Sequence, residues 1–213
     1  MNEYFWFGNI AISLDQKLGK VNTRTNISND LDFKIVNDFR NNICAIGVGS
    51  NTIMVDDPSL NVKEHLLDGK KVLSQPTVII FDRRGVVTLD KEIFKNNNNN
   101  RTIIWVNNTN VGHELPKNIH LVKGVDLIDI KNKVENKLSD IGVYGAIMIE
   151  GGASFIHSCL SEGVLQYLRI FSNDKIIGQD GVQFRFDHLT NYKLIYDNKL
   201  DNGIEYIYKL NSK

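Results

Sequence analysis

Apolar residues in this chain fall into two kinds of run. Short continuous runs rich in β-branched and aromatic side chains occupy residues 4–14, 43–48, 76–81, 102–106, 146–149 and 165–171. These read as strands, and those at 76–81 and 102–106 are apolar enough to be covered on both faces at the centre of a sheet. Elsewhere apolar positions recur every three or four residues. Leu31, Ile35 and Phe39 stand four apart, Ser28 is placed to cap, and Asp30 and Asp32 fall in the first turn, which predicts a helix ending near Arg40. A second helix is predicted after Asp126, with Leu127, Ile130, Val134 and Leu138 as its stripe and Gly142 as its stop. A third stripe, Phe155, Ile156, Cys159 and Leu160, closes at Gly163.

Strand and helix alternate, so the pattern predicts an α/β fold with a mostly parallel central sheet flanked by helices. The end of the chain departs from that alternation. Residues 192–196 and 204–210, joined through Asp201-Asn202-Gly203, read as an antiparallel hairpin added to the sheet. The asparagine tract 96–100 cannot bury surface and reads as an exposed, mobile loop. No internal repeat interrupts the pattern, and residues 1–213 are expected to form a single domain.

Ligands of open α/β sheets bind beyond the carboxyl ends of the strands, and two glycine segments fall there. Gly47-Val48-Gly49-Ser50-Asn51-Thr52 continues to Asp56-Asp57-Pro58, and Glu150-Gly151-Gly152-Ala153-Ser154 follows the strand at 146–149. Small residues at a strand end let backbone N–H groups approach a phosphate, and a following helix N-terminus adds partial positive charge. The first segment lacks the third glycine of the dinucleotide fingerprint, with Thr52 in that place. Its plainer explanation is close packing at the two glycines and turn-capping by the aspartates. The second is sharper, because Glu150 ends an apolar strand and Ser154 opens a helix. Its plainer explanation is a tight connection.

Composition narrows the partners. Lys+Arg and Asp+Glu both number 25, so the formal charge is zero and no basic face points to nucleic acid or an anionic membrane. Cys44 and Cys159 lie in apolar stretches and read as reduced, buried thiols of a cytoplasmic protein. No apolar run reaches the ~18 residues of a membrane helix. The five histidines, His65, His113, His120, His157 and His188, lack metal-ligand spacing, so no metal site is expected.

Several segments together, AISLDQK (11–17), Ser28-Asn29-Asp30, Phe39-Arg40, GVGSNTIMVDDPSLNVK (47–63) and EGGASFIHSCLSEGVLQYLRIF (150–171), resemble the reductase of riboflavin biosynthesis. That family has a dihydrofolate-reductase-like fold, and the resemblance spans nearly the whole chain. It implies an NADPH-dependent enzyme that converts a ribosylamino-pyrimidine 5′-phosphate to its ribitylamino form, with hydride delivered to C1′ of the opened imine. It also implies a homodimer. Ala11, Thr52, Asp56, Gly151, Gly152, Ala153 and Ser154 match cofactor contacts of the family, whereas Ser28, Arg40, Leu60, Lys63 and Glu150 match substrate contacts. Lys17 and Glu150 fall beside the reacting sugar, Lys17 as a candidate proton donor alongside water. An arginine suits a phosphate and a carboxylate suits ribose hydroxyls, so the residue types agree with those roles.

Gln16 stands where the family usually has glycine, Ala153 replaces a third glycine, Lys63 replaces an arginine, and Asn26 lies near a position that is often aromatic. Arg83 and Arg84, after the strand at 76–81, are the candidates for the 2′-phosphate that separates NADPH from NADH. The sequence contains no His-x-Glu with Cys-x-x-Cys zinc pair, so the chain is expected to perform the reduction only. Two alternatives stand beside this reading. One is a reductase of the same fold acting on another substrate, such as dihydrofolate. The other is a non-catalytic nucleotide-binding paralogue. The choice between a 2-amino and a 2-oxo pyrimidine is not legible in these residues.

Overall fold

A computed structural model describes residues 3–95, 101–112 and 114–211; the asparagine tract and His113 lie outside them. Nine strands form one sheet in the order β10-β11-β8-β1-β7-β3-β4-β5-β6. They are β1 (Phe5–Ile12), β3 (Ala45–Gly49), β4 (Thr77–Phe81), β5 (Ile103–Val106), β6 (Ile119–Val122), β7 (Ala146–Glu150), β8 (Tyr167–Asn173), β10 (Tyr192–Leu200) and β11 (Gly203–Leu210). All pairings from β8 to β6 are parallel, and only the β10–β11 hairpin runs antiparallel against β8. A separate two-stranded ribbon joins β2 (Lys17–Lys20) to β9 (Gly181–Gln183).

Alternate side chains of the central strands enter opposite faces, as period two requires. Ile79, Phe81, Ile147 and Ile149 pack with Ile130, Val134 and Leu138 of α4 (Leu127–Asp140) and Ile156, Cys159 and Leu160 of α5 (Ala153–Ser161). Val78, Ile80, Ile46, Val48 and Met148 pack on the other face with Ile53 of α2 (Ser50–Asp56) and Ile93 of α3 (Glu92–Lys95), and Val36 and Phe39 of α1 (Asp30–Asn42) lie against them. Gly47 belongs to the first of these two faces, since a Cβ there would stand 2.5 Å from Ile149 Cδ1. Among the described residues no helix is long and apolar enough to cross a membrane. Both thiols are free, and burial pushes that of Cys44 up to about 11.

The structure corrects one expectation and adds two features. Segment 50–56 forms a short helix, with Asp57 as its left-handed cap (φ 43°). Ser28 does not cap α1: Asn29 does, its Oδ1 accepting from Asp32 N at 2.8 Å, and the helix continues to Asn42. The face of α1 that is most buried is polar, not the Leu31–Ile35–Phe39 stripe; Asp32, Asn37 and Asn41 point inward. Each has partners there. Asp32 meets Arg169 at 2.7 Å, Asn37 bonds both backbone groups of Lys63, and Asn41 spans Lys71 and Leu73. Buried polar groups persist where such bonds replace water. The Asp126 cap is as read, accepting from Asp129 N at 2.8 Å.

Candidate functional site

β3 and β7 are neighbours, so their carboxyl ends bring the two glycine segments together. α2 starts directly after β3, and α5 starts after Gly151-Gly152 with Gly152 as its N-cap. One hydrogen bond joins the segments: Gly152 N donates to Thr52 Oγ1 at 2.9 Å. Gly151 sits at φ +135°, and a Cβ there would stand 3.0 Å from Thr52 Oγ1 and 3.6 Å from Gly49 N. Only glycine takes that backbone readily, and only glycine leaves the approach open. Phe155 closes the floor, its ring centroid 4.5 Å from that of Phe81.

Around this junction lies a cleft of about 230 Å³, lined by small polar residues from both segments, by Phe81 and Phe155, and by Arg84. Of the two candidate arginines, Arg84 lines the cleft, while Arg83 donates to the Val125 carbonyl at 3.2 Å. The turn that carries them is fixed from below by buried Asp82, which accepts from Val86 N and Val87 N. Asp56, at the end of α2, is half-buried, and burial raises its carboxyl above the usual value, with Arg24 opposing. Ala11 is half-buried on β1, and Ser154 is exposed at the start of α5.

Glu150 ends β7 on the α1 face, next to Asn9 of β1 in register. Arg40 of α1 grips its carboxylate with two bonds, Nε to Oε1 at 3.1 Å and Nη2 to Oε2 at 2.7 Å. Both side chains are largely buried, and Arg40 Nη1 has no partner among the described residues. A fork held on one side by a carboxylate keeps a fixed direction for the donor on the other. Lys63 is exposed, and Asn37 holds its backbone N–H (2.7 Å) and carbonyl (2.9 Å) three residues before Arg40 on α1. Leu60 is buried with φ +54°.

Lys17 lies on the ribbon, where its ammonium donates to Gln183 Oε1 at 2.6 Å. The AISLDQK segment makes a tight turn into that ribbon. Ser13 Oγ donates to Asp15 at 2.6 Å and accepts from Lys17 N at 2.9 Å, and Asp15 accepts from Ile177 N and Gly178 N. These bonds, the Ser13 hydroxyl first, hold the Asp15 carboxyl down to about 2. Ser28 is half-buried beside the α1 cap.

Sequence reasoning missed Arg101, which buries its guanidinium against the 59–63 loop. Its signal was a lone arginine at the head of an otherwise apolar strand run. Among the described residues no His/Cys/Asp/Glu group is arranged to hold a metal.

The glycine junction fits a phosphate-bearing nucleotide: backbone N–H groups, hydroxyls and Arg84 surround an opening that a Cβ at position 151 would narrow. Comparison with known proteins places the chain among related sequences and folds. Residues 7–203 match the model of the RibD C-terminal domain. The chain is similar to the 2,5-diamino-6-ribosylamino-4(3H)-pyrimidinone 5′-phosphate reductase of Archaeoglobus fulgidus, 31% identical over 186 residues and 81% of each chain. Its fold is similar to that of Acinetobacter baumannii RibD, with TM-score 0.79 and 19% identity over the whole of this chain, which spans 59% of that longer protein. A dihydrofolate reductase of Enterococcus faecalis, solved with NADP(H), aligns with TM-score 0.53 and 12% identity, over 98% of this chain and 97% of that one.

Proposed function

The chain belongs to the RibD C-terminal domain family, and on that basis we propose that it is the NADPH-dependent reductase of a 2,5-diamino-6-ribosylamino-pyrimidinone 5′-phosphate. The observation that carries this is the Arg40–Glu150 pair beside the glycine junction. It sets an anion-binding guanidinium and a hydroxyl-binding carboxylate next to a cleft shaped for a nucleotide. The archaeal relative's name supports the 2-amino form of the substrate. The dihydrofolate reductase, solved with NADP(H), supports the choice of cofactor class.

When bound, the nicotinamide supplies the hydride that reduces C1′ of the ring-opened ribosylamino group. The residues of the chain bind and orient. Thr52, Gly151, Gly152, Ala153 and Ser154 would hold the phosphates of the cofactor, with Ala11 and Asp56 bordering them, and Arg84 would offer the cation that favours a 2′-phosphate. Arg40 Nη1 and Lys63 take the substrate phosphate, Glu150 accepts from ribose hydroxyls, and Ser28 and Leu60 bound the rest. Because Glu150 is already gripped by Arg40, its part is to hold the sugar. The proton for the imine nitrogen comes from Lys17 or from water. Placing the hydride donor against C1′ and excluding solvent then accounts for the main catalytic effect. Free thiols agree with a cytoplasmic setting.

The test is loss of NADPH absorbance on mixing the protein with the diamino and the oxo ribosylamino-pyrimidine phosphates. Oxidation with the diamino form is expected, and Glu150→Gln should lower its kcat/KM by about tenfold or more, as removal of a charge-assisted bond does. NADPH binding without turnover of either pyrimidine would favour a binding-only paralogue.

A further inference from the structure

The segment that carries Leu60 and Lys63 is irregular, yet three side chains pin it. Arg101 donates from Nη2 to the Ser59 carbonyl at 2.7 Å and from Nη1 to the Leu60 carbonyl at 3.2 Å. Gln75 brackets Val62, accepting from its N–H at 2.8 Å and donating to its carbonyl at 3.2 Å. Asn37 does the same for Lys63.

Gln75 and Asn37 are neutral amides, and each brackets one residue of this loop without a charge. Arg101 does its share with a full charge. It is only 7% exposed, and among the described residues it pairs with no carboxylate. A buried cation without a counter-ion is costly, and two carbonyls compensate it only in part. Burial, and the neighbouring charge of Arg40, hold its pKa down to about 10, so it remains protonated at neutral pH. Arg101 therefore adds a buried positive charge near Arg40, whose own carboxylate partner is Glu150, before the exposed Lys63 is counted.

We propose that Arg101 is a specificity-determining positioning residue: it fixes the 59–63 loop and adds a buried positive charge that favours a phosphate monoester at the Arg40–Lys63 end. This rests on the reading of the substrate as a ribose 5-phosphate derivative. The charge is thereby explained by what the loop receives, not by how the loop is held.

Steady-state kinetics with the phosphorylated pyrimidine and its dephosphorylated counterpart test it. Arg101→Gln should raise KM for the phosphorylated form about tenfold, with kcat and the KM of the dephosphorylated form within about twofold, as loss of one partly screened charge implies. Arg101→Lys retains the charge and should keep the wild-type preference. An equal rise of both KM values in Arg101→Gln, or loss of preference in Arg101→Lys, would overturn the proposal. If Arg101→Gln does not fold, the lysine variant decides. If the wild type reduces neither pyrimidine, calorimetry with ribose 5-phosphate and ribose separates the two claims. Weaker ribose 5-phosphate binding in Arg101→Gln but not in Arg101→Lys, with ribose unaffected, upholds Arg101 while the reductase reading falls. Unchanged binding in Arg101→Gln, weaker binding in Arg101→Lys, or none by the wild type removes the Arg101 claim itself.

Discussion

Gln16 shows how a single residue carries information that only backbone geometry decodes. It stands where the family usually has glycine, and its φ of +62° is the left-handed conformation that glycine adopts without strain. Its carbonyl accepts from Phe184 N, so the turn is held by main-chain bonds and the side chain is replaceable. Asp56 gives a titration signature. Burial raises its carboxyl above the ordinary 3.8, so the fold favours the protonated form. Its contribution to stability is complete below pH 3.8 and is lost as pH rises through the raised value. Asp56→Asn, which cannot ionise, should match wild type at the acid end and exceed its Tm above that window; parallel Tm-against-pH curves would contradict this. Ser28 and Asn29 mark what local signals cannot decide. Both are good caps, and Asn29 wins because its amide also donates to the Leu200 carbonyl and to Asn202, contacts that depend on the distant hairpin.

At the scale of elements, the glycine junction is the unit that joins two segments about a hundred residues apart. Gly151→Ala combines a strained φ of +135° with a Cβ 3.0 Å from Thr52 Oγ1. It should lower stability by ~1–3 kcal/mol and weaken NADPH binding, read by thermal unfolding and by fluorescence titration. Unaltered NADPH affinity in a folded Gly151→Ala protein would contradict the placement. The apolar strands of the sheet and the capped helix α4 were legible because their burial follows period and caps directly. α1 was legible as a helix but not as to its inward face. Its buried Asp32, Asn37 and Asn41 are satisfied by Arg169, by the Lys63 backbone and by the 71–73 segment, partners that no window of sequence contains. The ribbon β2–β9 escaped for the same reason, since its two short strands lie some 160 residues apart and carry little apolar pattern. α2 escaped because seven residues give too few turns for a stripe.

Across the whole molecule, the parallel sheet gathers the ends of β3, β4 and β7 so that the residues proposed to hold nucleotide and substrate adjoin. Of the site, the two glycine segments, Arg40 and Glu150 were legible as motifs, while Arg101 was not, because its role depends on a loop 40 positions earlier. The far edge of the sheet also bears on assembly. Among the described residues no strand pairs with the outer edge of β10, which exposes Leu194, Ile195 and Tyr196, an unusual composition for a strand left to solvent. We propose that a second copy covers it. Sedimentation equilibrium should give twice the 24.2 kDa chain mass, and Ile195→Lys should shift it toward one chain; a wild-type monomer would contradict this.

The central claim is transfer of hydride from NADPH to C1′ of the ribosylamino-pyrimidine phosphate, and isotope transfer tests it most directly. Incubation with NADPH carrying deuterium at the transferable C4 position, followed by mass and proton spectra of the product, should place one deuterium at C1′ of a ribitylamino phosphate. A product without deuterium at C1′, or recovery of the ribosylamino compound unchanged with NADPH bound, would contradict the account.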